Sequence, residues 1–343
     1  MKKILSIIIC LAMVFSFVGL TACSKAEPLK FGVGIHSYYA KASNADGETN
    51  GEGEAVETIA AVLLDKDGKI VKCAIDTADS KVQYTSKGKV IAVEEFKTKY
   101  ELGKDYNMAA YGQDLNGDGK VMEWFEQIDV LTATAVGKTI DEVKALVLET
   151  GYGAEDLANA GCTINVSDYI KALEKACANA KESEATAEDT LKLGVVTSQS
   201  SSNKDASDDA DGVNEVVSSF TAAALNKDGK VVIAQSECIV AKFTFDKKGV
   251  AKTDVKAELK GKVELGKDYN MAAYGQDLNG DGKVLEYNEQ SAAFDAACVG
   301  KTADEIAAFA AENGYGVESI QTAGCTMNIG DIVKAAVKAA TVA

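Results

Sequence analysis

The sequence predicts an α+β fold written twice: two tandem homologous domains, each a curved, mostly antiparallel sheet packed with helices. Three observations predict it. Glu101–Val121, ELGKDYNMAAYGQDLNGDGKV, recurs without change as Glu264–Val284. The same register holds around that block. Lys66-Asp67-Gly68-Lys69 returns as Lys227-Asp228-Gly229-Lys230, and Val136-Gly137-Lys138-Thr139 as Val299-Gly300-Lys301-Thr302. In both copies apolar residues first alternate and then fall at helical spacing. The period far exceeds the ~20–50 residues of a solenoid repeat, so it marks duplicated domains. The boundaries expected are 31–178 and 191–343, joined by the polar stretch 179–190.

The elements of each copy follow in order. A short strand comes first, Phe31–Ile35 and Leu193–Thr197, and leads into a loop rich in Asn, Asp, Gly and Ser. A hairpin follows with Asp-Gly as its turn: Thr58–Leu64 with Lys69–Asp76, and Ser219–Leu225 with Lys230–Ser236. Val71, Cys73 and Ile75 alternate, so one face of that strand is apolar. A further strand or two runs to about residues 94 and 255. After the shared block, Trp124, Ile128, Leu131 and Ala135 lie at helical spacing, as do Tyr287, Ser291, Phe294 and Cys298. A second helix begins at Thr139, with Glu142 closing a capping box; Thr302 and Glu305 repeat the pair. Gly151 and Gly314 stand where its C-terminal glycine belongs. A last strand, Cys162–Val166, feeds the helix Asp168–Ala178.

The N-terminus reads as an address. Lys2 and Lys3 precede an apolar run from Ile4 to Leu20, the form of a secretory signal over residues 1–22. The run ends in Leu20-Thr21-Ala22-Cys23, which resembles the lipobox of bacterial lipoproteins. The resemblance implies that Cys23 is the lipidated first residue, that residues 23–30 are a tether, and that the protein is extracytoplasmic and held to the membrane by acyl chains.

Composition excludes several functions. The net charge is -16, and all 36 basic residues are Lys. No basic, Arg-bearing surface is available for nucleic acid, so no nucleic-acid partner is expected. One histidine, His36, cannot build a triad or a His-rich zinc site. Carboxylates are so abundant that no pair stands out for glycoside chemistry. Lys138 and Lys301 lack the upstream glycines of a phosphate loop. Cys73, Cys162, Cys177, Cys238, Cys298 and Cys325 show no CxxC, and only Cys162 and Cys325 match between copies, so they read as small buried apolar residues.

Two segments carry candidate chemistry. The first is the pair of loops Asp114-Leu-Asn116-Gly-Asp118-Gly119 and Asp277-Leu-Asn279-Gly-Asp281-Gly282. Oxygen ligands alternate as in the first half of an EF-hand loop, with Gly at the bend. The twelfth position is Phe125 in one loop and Asn288 in the other, where an EF-hand has a bidentate acid. Either a calcium (Ca2+) site of another geometry or a solvated polar turn fits.

The second is a set of short motifs: the hairpins Asp67-Gly68-Lys69-Ile70-Val71 and Asp228-Gly229-Lys230-Val231-Val232, the Lys-Asp-Tyr-Asn-Met segments 104–108 and 267–271, and Ala160-Gly161-Cys162-Thr163 with Ala323-Gly324-Cys325-Thr326. Together these resemble FMN-binding domains of bacterial surface lipoproteins and membrane redox pumps. The resemblance covers most of each copy. It implies FMN as cofactor, Thr163 and Thr326 as acceptors with Cys162 and Cys325 beside them, and a flavin transferase or surface redox partner. The Asp that the family carries six residues before the acceptor is Leu157 here and Ile320 in the second copy. The expected function is flavin or small-ligand binding with extracellular electron relay, a binding or carrier protein rather than a catalyst. The other reading is a non-enzymatic surface protein with calcium-binding or partner-binding loops. A solute-binding protein needs a cleft between dissimilar lobes, which near-identical copies argue against.

Overall fold

The computed structural model describes residues 27–110, 121–273, 275, 277 and 282–341. It is a mixed α+β protein with two antiparallel sheets. In the first half, β1 (Lys30–Ser43), β2 (Gly51–Leu64), β3 (Ile70–Tyr84) and the short β4 (Val90–Ile91) lead to α1 (Lys99–Leu102), α2 (Trp124–Ala135), α3 (Ile140–Lys144), α4 (Glu155–Asn159) and α5 (Ser167–Asn179). After β5 (Lys181–Glu182), the second half runs β6 (Thr190–Gln199), β7 (Gly212–Leu225), β8 (Val231–Phe245), α6 (Lys262–Leu265), α7 (Tyr287–Cys298), α8 (Ala303–Ala307), α9 (Glu318–Thr322) and α10 (Gly330–Ala340). The sheet orders are β4-β3-β2-β1-β5 and β6-β7-β8.

The hairpin turn forms because one side chain caps it. Asp65 Oδ1 accepts from Asp67 N and Lys69 N at 2.9 and 2.8 Å. Asn226 does the same for Asp228 and Lys230 in the other half. Gly68 and Gly229 take the left-handed conformation that closes the turn. The strands are much longer than the alternation alone marks out. β2 and β7 are buried on both faces, which removes the polar half of the pattern.

The two faces of β2 enter different cores. Ala60, Val62 and Leu64 pack with Trp124, Ile128, Leu131 and Leu173 of the helices. Ala55, Ile59, Ala61 and Leu63 meet Val216, Phe220, Ala222 and Ala224 of β7. The equivalent helices α7 and α10 cover the outer face of the second sheet. The layers are therefore helices, sheet, sheet, helices. Tyr84 stacks on Phe245 across the sheets, centroids 4.1 Å apart. Lys175 of α5 pairs with Glu264 at 3.1 Å, and Lys338 of α10 pairs with Glu101, so each half's last helix holds the first helix of the other.

Glycine sets the helix–sheet distance. A Cβ on Gly194 would lie 2.0 Å from Ala335 O, and one on Gly34 2.2 Å from Ala176 N. α10 and α5 therefore lie directly on β6 and β1.

Several expected elements differ. Cys162–Val166 is not a strand; only Asn165 bridges, to Tyr152. Its residues turn sharply into α5, leaving no partner strand. The second helix stops at Lys144, and Gly151 closes a separate turn by donating to Leu148 O at 2.8 Å. The stretch 179–190, expected as a polar joint, carries β5 and the buried Ala185 and Asp189.

Candidate functional site

The Gly-Cys-Thr motifs occupy the turn between α4 and α5 and its counterpart between α9 and α10. Gly161 and Gly324 have φ of 111° and 104°, which lets the chain reverse out of the short helix. Cys162 N and Cys325 N then donate to Leu157 O and Ile320 O, both at 3.1 Å. The two cysteine side chains are fully buried in the helix–sheet cores, and burial pushes each thiol to about 12. They stay protonated at neutral pH and anchor the loop as apolar side chains.

Thr163 and Thr326 are half-buried and face a glutamine. Thr163 N donates to Gln127 Oε1 at 2.8 Å, and its hydroxyl lies 3.2 Å from the same oxygen. Thr326 repeats both distances on Gln290, and Met327 N adds a third bond at 2.9 Å. Gln127 and Gln290 are buried, so their amide groups need partners. Gln127 Nε2 donates to Met122 O at 2.9 Å and approaches Met108 Sδ at 3.7 Å. Gln290 does so with Leu285 O and Met271 Sδ. One carboxamide thus ties the Lys-Asp-Tyr-Asn-Met segment, the start of α2 or α7, and Gly-Cys-Thr. The segment is fixed further by Met108 N and Met271 N, which donate to Glu123 and Glu286 at 2.8 Å. Its tyrosines cover half-buried lysines: Lys99 Nζ lies 5.3 Å from the Tyr106 ring centre and Lys262 Nζ 5.1 Å from that of Tyr269.

No protein-family model, curated protein or solved structure matches the chain.

Among the described residues, Thr163 and Thr326 hydrogen-bond to glutamine alone. Leu157 and Ile320, where the resemblance puts an acid, are core residues. The set fits hydrogen bonding to a bound flavin. Among the described residues, no carboxylate or imidazole accepts a hydrogen bond from either hydroxyl.

The other candidate residues separate. Cys23, Asp114, Asn116, Asp118, Asn279 and Asp281 lie outside the described residues. Asp277 is described, and its Oδ2 accepts from Gly282 N at 2.8 Å, folding the carboxylate over the loop. Asn288, twelfth from Asp277, has a buried Oδ1 without a hydrogen bond. Among the described residues, no three His, Cys, Asp or Glu side chains converge as a metal group would.

Gln127 and Gln290 escaped the sequence reading. Their signal was present: a polar residue between Trp124 and Ile128, and between Tyr287 and Ser291, on the apolar side of a helix in both copies.

Proposed function

We propose that the chain is a lipid-anchored, extracytoplasmic protein of two tandem homologous, FMN-binding-like domains, which binds flavin or a related small ligand without a covalent link and relays electrons at the cell surface. Cys23 carries the anchor in this reading. The observation that carries the ligand reading is the glutamine junction: two of the three motifs of the resemblance, Lys-Asp-Tyr-Asn-Met and Gly-Cys-Thr, far apart in sequence, meet at one buried carboxamide in each half. Thr163 with Gln127, and Thr326 with Gln290, would hold the ligand. Bound flavin supplies the redox chemistry, and the protein residues orient it.

Titration of the purified protein with FMN, followed by loss of flavin fluorescence, tests this. Uptake is expected, with Thr163→Val plus Thr326→Val weakening it about tenfold, one hydrogen bond's worth per site. Colour should leave the protein on a denaturing gel. A protein that takes up no FMN overturns the reading.

A second reading has its own observation. Asp277 folded over its loop and the unpartnered Asn288 Oδ1 favour a calcium ion in the second loop. Phe125 denies the first loop that twelfth ligand.

A further inference from the structure

The two halves leave a cleft of about 410 Å³ between them. It is lined by Cys73–Asp76 of β3, Tyr100, Ile128, Asp129 and Thr132, and on the far side by Leu191–Leu193 of β6 and Lys338. Its size lies in the range of small-ligand sites, ~300–1,000 Å³. Four consecutive residues of one strand and three of another line it. A cleft along a strand's face would touch alternate residues, so this one runs along two strand edges.

Both edges are open here and closed at the equivalent places. The strand pairs share a register, Ala60↔Ile75 and Thr221↔Ser236. The outward N–H of Ser236 donates to Asp295 Oδ2 at 3.0 Å, and its C=O accepts from Ser291 Oγ at 3.0 Å. Those two residues are the ninth and fifth of α7. The ninth and fifth of α2 are Thr132 and Ile128. Thr132 Oγ1 is turned to Asp129 O, and Ile128 has nothing to donate. Next along β3, Thr77 N is capped by Asp76 at 2.7 Å, as Cys238 N is by Glu237. Ile75 has no such cap. The other edge repeats the contrast. β5 covers β1 at Lys30 and Phe31, whereas the start of β6 pairs with β7 alone. Val195 O, further along β6, points outward to Lys338 Nζ at 2.8 Å.

A buried residue whose main-chain N–H and C=O lack partners is rare in folded proteins. Among the described residues Ile75 finds no partner for its outward N–H and C=O, and it is 3% exposed beside the cleft. An open edge beside a cleft matches the main chain of an extended segment. The side chains match its ends and body. Lys192 is half-buried and makes no ion pair among the described residues, so its ammonium can meet a carboxylate. Asp129, which holds the Tyr100 hydroxyl at 3.0 Å, can meet an ammonium. Ile128, Leu191 and Leu193 give an apolar wall.

We propose that this cleft binds a short peptide, a di- or tripeptide with an apolar side chain, by strand addition to the edge of β3, with the start of β6 as its far wall. Ile75 exchanges main-chain hydrogen bonds with the peptide, Lys192 takes its C-terminal carboxylate, and Asp129 its amino terminus.

Calorimetry on the purified protein with the tripeptides Ala-Leu-Ala, Ala-Phe-Ala and Ala-Val-Ala tests the inference. Binding is expected for at least one, weakened tenfold or more by C-terminal amidation or by Lys192→Ala. Thr132→Asp supplies the carboxylate that caps this edge in the second half, so it should close the edge and abolish binding while leaving the melting temperature within a few degrees. Three results would overturn it: no heat from any of the three peptides, equal binding of free leucine, or unchanged binding by the Thr132→Asp variant.

Discussion

At the scale of single residues, the most exposed weakness of the fold is a buried charge site. Glu57 lies between the sheets at zero exposure, with neither carboxylate oxygen hydrogen-bonded. Burial pushes it to about 8; Ser218 is close enough to temper the shift but not to complete a hydrogen bond. Burial also raises Asp76 and Glu237 to about 7 and Asp295 to about 6. A carboxyl whose folded pKa is raised binds its proton more tightly folded than unfolded. Its stabilisation is complete below about pH 4 and is lost as pH rises through the folded value. The protein should therefore melt higher at pH 5 than at pH 9. Glu57→Gln keeps the shape and removes the ionisation. It should raise stability at pH 9 by about 1–3 kcal/mol and change pH 5 little. Urea unfolding at both pH values checks this; an unaltered pH slope in the variant would remove Glu57 from the account. Asp168 works in the opposite sense. His36 at 3.3 Å, with Lys171 and Tyr38, holds it well below the usual carboxylate range, so its contribution disappears only in strong acid. The lone histidine is thus a partner for a carboxylate at the head of α5; Ser198 does that for Asp331 at the head of α10.

At the scale of elements, local chemistry was legible wherever a side chain bonds its own neighbourhood. The capping boxes at Thr139 and Thr302 formed as their spacing predicted. So did the α2 face of Trp124, Ile128, Leu131 and Ala135. Strand length was not legible, because β2 buries both faces and its alternation vanishes. The loop from Asp277 to Asn288 also belongs to this scale. Its described residues fold the first carboxylate inward and leave the twelfth position's oxygen unpartnered. Millimolar calcium should raise the melting temperature, and Asp277→Ala should cancel that rise while Asp114→Ala leaves it. Equal loss from both variants would mean that Phe125 does not distinguish the loops, and no rise at all would end the calcium reading.

At the scale of the whole molecule, the core between the sheets decides behaviour. Phe31, Val33, Ile35 and Ile59 from one half pack with Phe220, Ile239 and Phe243 from the other. Phe243 also meets Tyr39 edge-on at 5.4 Å. Neither half can bury that face alone, so the chain should unfold in one transition. Phe243→Ala should cost about 3–5 kcal/mol. Trp124, the single tryptophan, reports the first half, yet its unfolding midpoint should fall with this change in the second. A Trp124 transition that stays in place would show two independent folding units.

The sequence by itself determined the repetition, the hairpin turns and the helix caps. These follow from identity along the chain and from contacts within a few residues. Only the tertiary structure decided that the sheets pack face to face, that Gln127 and Gln290 join distant motifs, and that the edge of β3 is open where that of β8 is closed. Those features depend on residues separated by dozens to hundreds of positions. Their polar groups are recognisable only once the surrounding chain shows which have found partners. Four differences between the halves, Ile128 for Ser291, Thr132 for Asp295, Asp129 for Ala292 and Tyr100 for Val263, line the cleft at that edge.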